Sequence, residues 1–276
     1  MRKKRRINNL IIYTALTLLL LFWLFPLFMA LLNSFKSNAE LLTNVMALPE
    51  TLNLNNYIRT IGKMNYLRSF FNTAGLTILG VGMMILFSAM AGWRLCRTKT
   101  KLSSAIFALF VFSMLIPFNS IMIPLYKVIL ALHIKNSLIG LAFVYAGFGV
   151  SMAIFLYHGF VKGIPFELEE AAAIDGCSKL RTFLFIILPM LKPVTVAIGI
   201  SNVLWVWNDF LLPLIVLSDN KKYTLLLSTN ILFGQYSSDW SAILSALILS
   251  AIPVIVFYGV FQKQILKGIG EGALKG

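Results

Sequence analysis

The sequence predicts an all-α integral membrane protein of about six transmembrane helices. Three observations predict it. Apolar residues make up 59% of the chain and charged residues only 12%, where soluble domains carry about 25% charge. Mean hydropathy is +0.84. The apolar residues come in unbroken runs rather than in alternation, which argues for helices over a β-barrel, and most basic residues cluster at the ends of those runs.

The runs follow in order. Leu10–Leu32 lies behind the basic start MRKKRR. Its apolar part exceeds the ~7–15 residues of a signal-peptide core and no A-x-A-like site follows, so it is expected to remain as a first span. Residues 33–69 are polar and mixed, contain LPETLNLNNY, and are expected to fold as a small cap on the outer face. Phe70–Trp93, Leu102–Tyr126, Asn136–Tyr157 and Ala242–Gln262 are each close to the ~20 residues of a span. The fifth run, Phe183–Leu217, is longer than a span needs, and Pro189 and Pro193 make its first part a bent entry helix. Pro117, Pro124 and Pro253 mark further kinks, and Gly75, Gly80, Gly82, Ser88 and Gly92 offer small faces for close packing of the second span.

Orientation follows from charge. The N-terminus, the second and fourth connections and the tail together hold sixteen Lys and Arg; the first, third and fifth connections hold eight. The richer side is expected to be cytoplasmic, with both termini on it. This placement accounts for the net charge of +14 without nucleic acid.

Acid is scarce, with ten residues in 276, yet Glu167, Glu169, Glu170 and Asp175 fall within nine positions of the fourth connection. Pro165 suits the first turn of a helix, the glutamates lie near the positive end of its dipole, and Gly176 suits its stop. These residues predict a helix of about 11 residues, roughly 16 Å long, with Ser178 capping the next one. Leu168, Ala171, Ala172 and Asp175 share a small face by i, i+3, i+4 spacing, with the Glu170 carboxylate beside it. That is a helix shaped to dock on a partner; a solvated connector whose charges only keep it wet is the alternative.

Other constellations carry less. Asp209 is the only acid in a predicted span, in the sequence Trp205-Val206-Trp207-Asn208-Asp209-Phe210, and an ionisable residue within a span is a functional hypothesis by default. The aromatic faces and Asn208 could meet a sugar, so Trp205, Trp207, Asn208, Asp209 and Phe210 are candidates for pathway lining or a gate; an interfacial aromatic belt is the alternative. Cys96 and Cys177 read as reduced thiols on the cytoplasmic side, and His133 and His158 lack metal spacing. No GxxxxGK[ST] loop occurs, and the tail's Gly268, Gly270 and Ala273 follow a membrane helix rather than a strand. Catalytic, cofactor and metal residues are therefore not expected.

The pattern Glu170-Ala171-Ala172, three residues, Gly176, nine residues, Ile186, one residue, Leu188-Pro189 resembles the EAA signature of ABC importer permeases, at the expected place between the fourth and fifth spans. NSFKSNAELL, IPLY at 123–126, WNDFLLPLIVLSD and QKQILKGIGEGALKG resemble the sugar-permease branch, the maltose-type second permease subunit, over nearly the whole chain. Cys177 stands where that family often has alanine. The resemblance implies a type I ABC importer transmembrane domain, with a permease core at 70–262, a coupling loop at about 159–189, residues 1–69 before the core and a tail at 263–276. It implies that Glu170, Ala171, Ala172, Asp175, Gly176, Ile186, Leu188 and Pro189 couple to a separate ATPase present in two copies. It further implies a related permease as heterodimer partner, and an extracytoplasmic sugar-binding protein that meets the fifth connection at Gln235, Tyr236 and Trp240. The protein is then expected in the cytoplasmic membrane of a prokaryote, in contact with lipid and not nucleic acid. It would move a sugar or oligosaccharide by alternating access, without being an enzyme itself. An ion-gradient-driven transporter is the rival reading. It needs ionisable relays or paired broken helices, of which only Asp209 is present. An intramembrane enzyme needs a nucleophile with its base or paired metal ligands, and the spans supply neither.

Overall fold

The computed structural model describes residues 2–234 and 239–273, with side chains placed for 9–234 and 239–264. Helices dominate: α1 (Arg2–Asn33), α2 (Asn38–Thr43), α3 (Asn55–Lys63), α4 (Tyr66–Arg97), α5 (Lys101–Ser113), α6 (Phe118–Ala131), α7 (Leu138–Lys162), α8 (Glu167–Ile174), α9 (Lys179–Thr182), α10 (Leu188–Met190), α11 (Lys192–Trp207), α12 (Leu211–Val216), α13 (Leu225–Ser228) and α14 (Trp240–Ala273). A π turn, Phe183–Ile187, joins α9 to α10. The chain divides into two compact units, Met1–Leu67 with Ser228–Pro253, and Arg68–Leu227 with Val254–Gly276.

Among the described residues four helices are long and apolar enough to cross a membrane: Asn9–Asn33, Tyr66–Arg97, Leu138–Lys162 and Trp240–Gln264. Two bent pairs bring the number to six if each pair is one span. One of them is the expected bent fifth run, where Lys179–Met190 meets Lys192–Trp207 at 75°. The other corrects the sequence reading. The run Leu102–Tyr126 is not one span-length helix but α5 and α6, turned by 108°. Pro117 causes the break: it has no N–H to give to the carbonyl four residues back, and it pushes Ile116 out of the helical region. Pro117 stands as the N-cap of α6, extended at φ −69° and ψ 140°. Pro124, inside α6, leaves that helix continuous.

In the first unit, polar residues after α1 do the organising. Lys36 is 1% exposed and gives its ammonium to the carbonyls of Asn44 and Val45. Ser37 caps α2 in a capping box with Glu40. Asn56 Nδ2 donates to the carbonyls of Ser34 and Lys36, and Ser245 Oγ donates to Ser34 O. Residues 33–69 are therefore an ordered structure whose buried polar groups are mostly paired.

The second unit is held by a close crossing of α4 and α7. A Cβ on Gly92 would stand 2.7 Å from Tyr157 Cβ and 3.1 Å from the His158 backbone nitrogen, and one on Gly149 of α7 would meet the end of the Met84 side chain. At Gly80 the approach is 3.4 Å from Ala142 O. At Gly92 the near approach of the α7 backbone demands glycine, whereas the Gly80 approach is ordinary contact. Gly75 and Gly82 have nothing within 4 Å, so the expectation that they serve helix packing fails within this chain. Two core clusters flank the crossing. One gathers Leu76, Val81, Leu141, Tyr145, Val216 and Leu217. The other gathers Ala89, Tyr157, Val161, Phe183, Ile187 and Val194.

Candidate functional site

The acidic connection folds as the short helix α8, eight residues rather than the eleven expected. It starts at Glu167 because Phe166 is the N-cap, which leaves Pro165 one residue ahead of the cap instead of in the first turn. It stops in a Schellman motif: Cys177 N–H donates to Ala172 O and Gly176 N–H to Ala173 O. Gly176 adopts φ +77°, with open space where a Cβ would stand. Backbone conformation, not space, demands glycine there. Ser178 then caps α9 by accepting from Arg181 N–H, as the sequence implied.

The three glutamates of the first turn separate by direction. Glu169 turns inward: Oε1 accepts from Arg97 Nε at 2.7 Å and Oε2 from Trp93 Nε1 at 3.1 Å. Arg97 and Glu169 side chains are only 14% and 10% exposed. Arg97 Nη2 also donates to Ile164 O at 2.8 Å, and its guanidinium stands 5.6 Å from the Phe166 ring centroid. Glu167 and Glu170 turn outward with Ala171, Ile174 and Asp175, and Ile174 is 86% exposed. Among the described residues no partner meets the carboxylates of Glu167, Glu170 or Asp175. Ala172 is buried, so the small face read as one surface is split. Ala172 seats the helix on the bundle, and Leu168, Ala171 and Asp175 remain outside.

Farther on, Ile186 and Leu188 pack partly buried against the second core cluster, while Pro189 is exposed. The π turn ends two residues before Pro189, with Leu188 N–H reaching Phe183 O. Widening the helix at that point relieves the clash a proline makes with the carbonyl four residues back.

The second candidate lies at the other end of α11. Asp209 is not inside a helix; it sits in the break between α11 and α12. Its Oδ1 accepts from Leu211 N–H at 3.0 Å, starting α12, and its Oδ2 accepts from Tyr145 Oη at 2.8 Å. Asn208 Nδ2 closes the end of α11 on Leu204 O. Trp205 stands edge-on to Tyr145 at 5.3 Å, and Trp207 edge-on to Phe70 at 5.5 Å. Phe210 packs on the first core cluster. Among the described residues the buried indole nitrogen of Trp207 has no hydrogen-bond partner. The structure thus joins Trp205 and Asp209 through Tyr145, a residue the sequence reading did not single out, and sets Trp207 and Phe210 on separate neighbours.

The fifth connection is more than a linker. Asn136, at φ +57°, accepts from the backbone N–H groups of Ser218 and Asp219 and its carbonyl from Lys222 Nζ. Asn72 Nδ2 donates to the carbonyls of Lys221 and Tyr223. Gln235 and Tyr236 lie outside the described residues. Trp240 opens α14 and, with Pro26, Asn33, Leu41 and Leu244, lines an apolar cavity of about 440 Å³.

Asp239, beside Trp240, was missed. It caps α14 through Ala242 N–H, pairs with Arg59 and Lys63 and accepts from Asn38 and Ser241. Burial alone would raise its carboxyl, but hydrogen bonds from Ala242, Ser241, Asn38 and Lys63 outweigh it and hold it below the usual range. An aspartate immediately ahead of an apolar helical run was the available signal.

The chain matches known proteins over its whole length. The family profile described as binding-protein-dependent transport system inner membrane component covers residues 84–270. A probable starch degradation products transport system permease, AmyC of Thermoanaerobacterium thermosulfurigenes, is 39% identical over 275 residues, all of both chains. The multiple sugar-binding transport system permease MsmG of Streptococcus mutans is 34% identical, again over all of both. The melibiose/raffinose/stachyose import permease MelC of Bacillus subtilis is 31% identical over 91% of each chain. Among solved structures, a chain of a bacterial ABC transporter involved in import of the acidic polysaccharide alginate has the same fold. The TM-score is 0.81 over 94% of this chain and 96% of that one, at 22% identity.

Proposed function

The chain belongs to the family of binding-protein-dependent transport system inner membrane components, and is a multi-pass membrane permease of the sugar-importer kind; from that premise we propose that it imports an oligosaccharide by alternating access, driven through α8 by a separate ATPase. One observation carries the reading. The chain's densest group of acids is presented on a short, sharply terminated helix, with Glu170 and Asp175 exposed and, among the described residues, unpaired. Such carboxylates suit a cationic groove on a partner.

In this mechanism two ATPase copies engage α8 and the corresponding helix of a second, related permease. Nucleotide-driven closure of the ATPases displaces α8. The bundle then exchanges an inward-facing for an outward-facing state and receives the sugar from an extracytoplasmic binding protein. A switch of this kind requires contacts that differ between the two states, and the α8 surface supplies one set. The segment around Trp205 and Asp209 is the proposed pathway wall. Starch degradation products are the first substrates to try, because they are named for the relative at 39% identity.

The test is co-purification of the ATPase with wild type and with a Glu170→Lys, Gly176→Pro double variant, alongside uptake of radiolabelled maltotetraose in cells. Loss of ATPase binding and uptake together, at normal membrane levels of the variant, is the expected result. Retention of both would leave α8 as a solvated connector and bring back an ATPase-independent transporter.

A further inference from the structure

α8 is attached to the rest of its unit by two covalent paths. The path behind it runs through α9, the widened π turn at Phe183–Ile187 and the 75° bend before α11. Phe183 and Ile187 of that turn are buried in the second core cluster, and the Phe183 ring meets Trp93 at 5.3 Å. The path ahead of it is the short turn 163–166 that leaves α7, and there a third element intervenes. Arg97, in the last turn of α4, grips both sides of that turn: Nη2 holds Ile164 O, the end of the α7 side, and Nε holds Glu169 on α8. Trp93, one turn earlier on α4, holds the other oxygen of Glu169. The Phe166 ring lies under the guanidinium between them.

The chemistry of the grip favours geometry over stability. A buried ion pair offers little net folding energy, yet its broken form is costly, so it holds one arrangement. Arginine's planar fork reaches two acceptors in different directions at once, which a lysine ammonium on its flexible stem does not reproduce. α4 itself is continuous for 32 residues, about 48 Å at the helical rise. Near the grip Gly92 lets it lie directly on the α7 backbone, where even a methyl group would collide. Displacement delivered to Glu169 therefore meets a continuous helix keyed to α7.

We infer that Arg97 and Trp93 clamp Glu169 so that α8 and the end of α4 move as one body, and that this clamp is the route by which motion of α8 enters the membrane helices. The inference rests on the reading of α8 as the ATPase-docking helix. Arg97, Trp93 and Glu169 are positioning residues in it, while Glu170 and Asp175 face the partner.

The experiment uses the full importer with its ATPase and second permease in vesicles. Cys96→Ser and Cys177→Ser remove the native thiols, and spin labels are placed at Ala173→Cys on α8 and Arg94→Cys on α4. The distance between them is read without nucleotide and with ATP plus vanadate. In the parent protein the distance is expected to stay constant within about 2 Å, the scale of small helix shifts. With Arg97→Lys or Glu169→Gln it is expected to broaden and to shift on vanadate trapping, and Trp93→Phe, which removes the indole N–H and shrinks the ring but leaves the ion pair, is expected to do less. A nucleotide-dependent shift in the parent overturns the inference, as does a narrow, unchanged distance in both Arg97→Lys and Glu169→Gln. The label at Ala173 alone tests the underlying reading: if adding the ATPase does not immobilise it, docking on α8 fails regardless of the clamp.

Discussion

Asp209 and the acids of α8 are opposite uses of the same functional group. At the α11–α12 break the carboxylate is consumed internally, one oxygen starting α12 and the other taking the Tyr145 hydroxyl. On α8 the carboxylates of Glu170 and Asp175 have no partner among the described residues, and only Glu169 is bound inward. A carboxylate with two internal hydrogen bonds is a structural joint whose removal disturbs the fold. One that hangs free contributes little to the fold and is available for recognition. The two regions should therefore answer mutation in opposite ways.

The largest effect is expected at Asp209. Asp209→Ala removes the acceptor of the Leu211 N–H at the start of α12 and leaves the hydroxyl of fully buried Tyr145 without an acceptor, a loss of roughly 2–4 kcal/mol when two hydrogen bonds to a carboxylate go together. Lower thermal stability of the purified protein, with reduced uptake following from it, is the expected outcome. Asp209→Asn retains an acceptor and should recover most of that stability. If Asp209→Ala instead keeps wild-type melting while uptake disappears, the break is a substrate or gating site first and a joint second.

Asp239 gives an intermediate case on the other unit, and pH reads it. Its folded carboxyl is held below its ordinary value, so its contribution is present above the unfolded pKa of about 4 and is lost as pH falls through the folded value. The melting difference between wild type and Asp239→Asn should be full near neutral pH and close up in acid. A difference that does not change with pH would mean the ion pairs with Arg59 and Lys63 contribute nothing.

The smallest effect on stability belongs to Glu170. Glu170→Gln should leave melting within about 0.5 kcal/mol of wild type, as for other exposed sites, while weakening retention of the ATPase. A loss of stability comparable to that of Asp209→Ala would erase the contrast between the regions.

Much of this was legible in the chain. Unbroken apolar runs located the spans because hydrocarbon admits only backbones that satisfy themselves. Gly176 was legible because a left-handed stop favours one residue type so strongly. The acidic group was legible as a docking helix, but not which of its glutamates faces out. Glu169 and Glu170 are neighbours with equal local credentials, and what separates them is Arg97, 72 positions away. The α5–α6 break was half legible: Pro117 announced a kink, while its 108° turn depends on what the two halves pack against.

Local chemistry thus determined the helices, their caps and stops, and the protein's membrane character, since these depend on interactions between near neighbours and on transfer from water. The tertiary structure alone decided the fate of each charged group. Whether a carboxylate is spent or free depends on a partner brought close by packing, as Tyr145 is to Asp209 and Arg97 to Glu169. The small residues of α4 announced that it packs closely, but not that α7 is the helix it meets at Gly92, nor which side chains that packing brings together.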